Sequence, residues 1–97
     1  MFTIQFTLEA VADLRELRKR DAQRIVDEIE TQLTFEPTVT TRNRKRLRPN
    51  QLAEWELRIG EFRVFYGVVF TDTTVKVIAI GRKIGNRLLI YGKEYRL

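Results

Sequence analysis

EWELRIGEFRVFYGVVFTDTTVKVIAIG, Glu54 to Gly81, is the stretch that decides the fold. Its apolar residues fall on every second position. Trp55, Leu57 and Ile59 share one side of an extended chain, with Glu54, Glu56 and Arg58 on the other. Phe62, Val64 and Tyr66 repeat the pattern, opposed by Arg63, Phe65 and Gly67. VKVIAIG follows, rich in β-branched residues. A period of two is the signature of a strand, and β-branched and aromatic side chains pack well on a pleated surface. Gly60-Glu61 and Thr71 to Thr74 separate the runs with turn residues, so the spacing predicts three consecutive antiparallel strands.

Working outward, FTIQF (Phe2–Phe6) alternates in the same way and predicts a first strand beside the other three. The period then changes. Thr7 reads as an N-cap for a helix over TLEAVADLRELRKR, with Val11, Leu14 and Leu17 as its apolar stripe and Leu8 one turn earlier. Glu9 and Asp13 suit the positive end of its dipole, and Arg18, Lys19 and Arg20 the negative end. Asp21 reads as the cap of a second helix, AQRIVDEIETQLTFEP, whose Ala22, Ile25, Ile29 and Leu33 recur at three and four with Val26 beside them. Pro37 ends it. Residues 37–50 form a connection, with a short strand near Leu47. The expectation is a single α+β domain over 1–97, ordered β-α-α-β-β-β. An antiparallel two-helix hairpin packs on one face of a twisted antiparallel sheet. In the tail, Gly85-Asn86 is a turn signal and RLLIY a short strand, whereas GKEYRL has no clear pattern.

Charge is unevenly placed. The chain has 18 Lys+Arg against 13 Asp+Glu, net +5. RNRKRLR, Arg42 to Arg48, holds five of those cations and no acid; residues 82–97 are net +4, which the net −3 of residues 1–41 and −1 of 49–81 offset. Such asymmetry points to a polyanionic partner, since phosphate contacts dominate nucleic-acid affinity. Arg42, Arg44, Lys45, Arg46 and Arg48 are the RNA-binding candidates, with Arg58 joining them from the neighbouring strand. Cysteine and histidine are both absent. That excludes a disulfide framework, His/Cys zinc sites, a Ser-His-Asp triad and a histidine base. No cofactor or metal is expected. The N-terminus lacks the features of a signal peptide, and VFYGVVF is too short to cross a bilayer, so the expectation is a cytoplasmic protein with no membrane partner.

RNA backbone cleavage needs a base for the 2′-hydroxyl, a donor for the leaving oxygen, and cations on the phosphate. Arg63 suits the phosphate, Glu54 or Glu56 the base, and Tyr91 or Tyr95 the donor or a stacking surface. The plainer reading makes Glu56, Arg58 and Arg63 cross-strand ion pairs worth little, and spacing alone favours it.

The chain resembles the RelE/ParE superfamily of type II toxins. The resemblance rests on FTIQF, on EAVADLREL with a proline after the second helix, and on ELRIGEFRVFYGV followed by VKVIAIGRK. It covers residues 2–83 and is most specific from Leu57 to Tyr66. It implies the helix hairpin on a twisted sheet, and a cognate antitoxin protein that wraps the toxin. RelE-like members cleave mRNA on the ribosome, whereas ParE-like members poison DNA gyrase without nuclease chemistry. The RelE-like pattern assigns catalytic roles to Arg63, to Arg82 or Lys83, and to Tyr91. Glu54 and Glu56 stand where the best-known pattern has lysines, and a glutamate base, as in some relatives, falls on Glu56. GRK stands where that pattern has Gly-His-Arg.

Overall fold

The computed structural model describes residues 1–97. The chain runs β1 (Thr3–Phe6), α1 (Leu8–Arg15), α2 (Lys19–Leu33), β2 (Arg44–Arg46), β3 (Trp55–Ile59), β4 (Phe62–Val69), a 3-10 turn (Phe70–Asp72), β5 (Thr74–Ile84), β6 (Arg87–Ile90) and β7 (Lys93–Tyr95). The sheet is ordered β2-β3-β4-β5-β6-β7, every pair antiparallel. β1 is the exception and pairs in parallel with β5. β5 keeps β4 on one side along its length. Its other side takes β1 at Thr74–Val77 and β6 at Arg82–Ile84. The α+β fold expected from the alternation is therefore present, and the tail continues the sheet instead of fraying.

The gap between β1 and β6 on β5 explains where α1 sits. Backbone groups there have no strand to pair with, and buried ones need partners. Thr7 donates its N–H to the Val77 carbonyl (3.0 Å). Its hydroxyl donates to the Ile78 carbonyl (2.8 Å) while accepting the Ala10 N–H (3.1 Å). Ile80 donates its N–H to Asp13 Oδ2 (2.8 Å). The register slips here too. Phe65 faces Ala79 and Tyr66 faces Val77, leaving Ile78 as the extra residue of a bulge. One threonine thus caps a helix and satisfies a bulged carbonyl.

The core fills the space between the helices and one sheet face. Ile25, Ile29 and Leu33 of α2 meet Leu57, Val64, Tyr66, Val75 and Val77, all fully buried. Each such aliphatic side chain contributes roughly 1.5–3 kcal/mol by leaving water. The Tyr66 hydroxyl donates to the Pro37 carbonyl (2.6 Å), which fixes the chain where it leaves α2.

Four local expectations are corrected. α1 ends at Arg15, not in the basic run that follows. α2 begins at Lys19 with Arg18 before it, and Asp21 lies inside the first turn, complementing the dipole without capping. Leu8 is 86% exposed. It stands roughly 200° around the helix from Ala10, which the Thr7 anchor turns toward the sheet. Asp13 lies in the second half of α1, away from its positive end, and is buried with its carboxylate accepting from Ile80.

Candidate functional site

Side chains directly opposite in paired strands point to the same side of a sheet. The register Lys83–Leu88–Tyr95 therefore forms one row across β5, β6 and β7. Lys45 and Glu56 form a second row across β2 and β3. The sheet coils until these two rows face each other. Between them lies a groove of about 460 Å³, bounded by β2 and the following loop on one side and by the tail on the other. Lys45, Arg46, Arg48, Lys83 and Arg96 line it with Glu56 and Tyr95.

The electrostatics of the groove favour an anion. Lys45 Nζ lies 3.8 Å from Glu56 Oε2, and Arg46 Nη2 lies 3.9 Å from Glu54 Oε2. No ion pair engages Arg48, Lys83 or Arg96. Three cations are thus unpaired, and Lys45 and Arg46 stay exposed in their long ion pairs, beside a carboxylate that is itself mostly sheltered (side chain 13% exposed). The sheet face away from the helices is not wholly polar. Phe65 is fully buried there with Ala79 and Ile90, under Leu47, Leu52 and Leu88. This small second core seats the 47–53 loop and so places Arg46 and Arg48 at the groove.

The remaining sequence candidates lie elsewhere. Arg44 is 8% exposed and its guanidinium donates to the Gln32 carbonyl, near the negative end of α2. A side chain so engaged does not reach a phosphate, and Arg44 leaves the RNA-binding set. Arg42 and Arg58 are exposed but outside the groove. Arg63 is 7% exposed; its Nη1 donates to the carbonyls of Gly60 (2.7 Å) and Phe62 (2.9 Å). Burial, then the neighbouring Arg58, lowers its pKa, against the pull of Glu56. Arg82 Nε lies 2.7 Å from Glu61 Oε2, and its guanidinium stands 5.0 Å from the centre of the Phe62 ring. Arg82 and Lys83 thus part company, and only Lys83 lines the groove.

Tyr91 also turns away. Its hydroxyl donates to the Glu9 carbonyl on α1 (2.6 Å), and desolvation first, then Asp13 and Glu9, holds its pKa above the ordinary tyrosine value. Tyr95 takes the groove position instead, followed by Arg96, which the sequence reading did not single out. The signal that could have found them is Gly92, a turn residue just after RLLIY: the hairpin turn at Tyr91-Gly92 sets Tyr95 opposite Leu88.

A family model described as ParE toxin of type II toxin-antitoxin system, parDE, matches residues 4–83. No curated protein matches the chain. Among solved structures, it is similar to a chain of the RelBE2 toxin-antitoxin complex from Mycobacterium tuberculosis, at 28% identity and TM-score 0.73, over 84% of this chain and 98% of that one. It is also similar to the isolated Escherichia coli RelE toxin (16%, 0.70, 87% and 86%). The archaeal RelE-RelB complex from Pyrococcus horikoshii gives 19% and 0.61, over 87% and 96%. The last two likenesses speak for the fold alone.

Proposed function

Because this chain belongs to the ParE toxin family of type II toxin-antitoxin systems, within the RelE/ParE superfamily, we propose that it arrests growth by cleaving mRNA on the ribosome and is held in check by a cognate antitoxin. The antitoxin is carried by the relatives, two of which are toxin-antitoxin complexes. The observation behind the cleavage reading is the groove, where free cations, a carboxylate and a phenol converge.

The chemistry balances on these groups. Glu56 takes the proton of a ribose 2′-hydroxyl as that oxygen bonds to the adjacent phosphorus. The bond from phosphorus to the 5′-oxygen breaks, and Tyr95 gives the departing oxygen a proton. Lys83, Arg48 and Arg96 offset the charge that builds on the phosphate oxygens. Arg63, bonded to the Gly60 and Phe62 carbonyls, holds the β3–β4 turn and adds a positive field felt at Glu56.

Primer extension on a translated mRNA tests this. Wild-type protein should give cuts that need translating ribosomes, and Glu56→Gln should lower their rate by roughly 10²-fold or more. Undiminished cutting by Glu56→Gln would remove it as the base. The ParE family match favours a second reading, gyrase poisoning without nuclease chemistry. A toxic protein that makes no cuts and blocks supercoiling would establish it.

A further inference from the structure

The tail hairpin hangs on little. β7 has three residues, all exposed, and pairs with β6 alone. Its one ion pair, Arg87 Nε to Glu94 Oε1 at 2.7 Å, is exposed and so contributes little. Yet this strand delivers Tyr95 and Arg96 to the groove. The turn that leads into it carries positive φ at both central residues, Tyr91 (57°) and Gly92 (72°). Such two-residue turns suit the twist of a hairpin, but their first position favours Asn, Asp or Gly. A tyrosine there is unfavourable by backbone preference. Its side chain explains its presence, since the hydroxyl reaches the Glu9 carbonyl at 2.6 Å, 82 residues away in the chain.

We propose that Tyr91 is a positioning residue: its hydrogen bond to Glu9 latches the β6–β7 turn onto α1 and so sets Tyr95 and Arg96 as one wall of the groove. The inference rests on the reading of the groove given above. Tyr91 itself touches no substrate. It acts from the helix side of the sheet on residues that project on the other.

Two variants separate latch from turn. Tyr91→Phe removes the hydroxyl. Tyr91→Asn suits the left-handed turn better but cannot reach Glu9. Each should raise hydrogen exchange of the β6–β7 amides by roughly two- to tenfold, the worth of one hydrogen bond. Each should weaken binding of a fluorescein-labelled single-stranded RNA by a similar factor. In a Tyr95→Ala/Arg96→Ala background, neither should weaken RNA binding further, because the groups it positions are gone. Unchanged exchange in Tyr91→Phe, wild-type behaviour in Tyr91→Asn, or an equal loss in the double-alanine background would each overturn the latch. If the wild-type protein bound no RNA, the groove's assigned role would fall, and the exchange measurement alone would decide the latch.

Discussion

Single residues here do two things that alternation cannot reveal. Asp13 is one case. Burial first, and Glu9 to a lesser degree, raises its pKa, while the hydrogen bond from Ile80 opposes the shift. The folded chain therefore holds this proton to higher pH than the unfolded chain. The stability it gives is complete below the unfolded value and is lost as pH rises through the folded one. Asparagine keeps an acceptor for Ile80 and has no charge to desolvate. The difference in Tm between Asp13→Asn and wild type should thus move in the variant's favour as pH rises from about 4 to 7. A difference that stayed flat, or moved toward wild type, would place the carboxylate in a more polar setting than described. Arg44 is the other case. Within RNRKRLR it reads as one more surface cation, because a run of five gives no hint which one turns inward. Its partner, the Gln32 carbonyl, lies on a helix that the run itself does not specify. Arg44→Ala should destabilise the chain by about 1–3 kcal/mol, the cost of leaving the Gln32 carbonyl unpartnered, measured by urea denaturation. It should leave the salt dependence of RNA binding unaltered.

Elements were legible where one period ran unbroken. β3, β4 and β5 form where their alternation placed strands, and α2 buries three of the four residues its stripe named, Ile25, Ile29 and Leu33. The failures fall at ends and joins. No local signal says that α1 stops at Arg15, or that β5 carries a bulge at Ile78, because both depend on how α1 docks on the sheet. Thr7 ties these together. Thr7→Ala should cost about 1–2 kcal/mol from the lost cap, with more from the unpartnered Ile78 carbonyl. A Thr7→Ser variant should recover most of it, and thermal melts of both would show whether it does. Gly81 marks the other end of the gap. A Cβ there would lie 2.9 Å from both Ile90 Cγ1 and the Leu89 carbonyl oxygen, so β6 could not keep its place. Gly81→Ala should cost about 1–3 kcal/mol. It should also loosen β6 and β7 in hydrogen exchange, and unchanged exchange would mean that β6 adapts without cost.

At the scale of the molecule, helices and groove lie on opposite faces of one coiled sheet. The charge count pointed to a polyanionic partner but did not name the cations that line the groove. Lys45, Arg46 and Arg48 come from the basic block, whereas Lys83 comes from β5 and Arg96 from the residues just after β7, which only sheet curvature brings opposite them. Arg42 and Arg44 belong to the block yet not to the groove. The central claim is that these five cations form the nucleic-acid interface. The most direct test is the affinity for a labelled single-stranded RNA, measured against salt. If all five contact phosphates, log K should fall with log salt at a slope near −3.5, about 0.7 per contact. Lys83→Ala should reduce the slope by about 0.7, and Arg42→Ala should leave it unchanged. A slope near zero, or one that Arg42→Ala lowers and Lys83→Ala does not, would contradict the account.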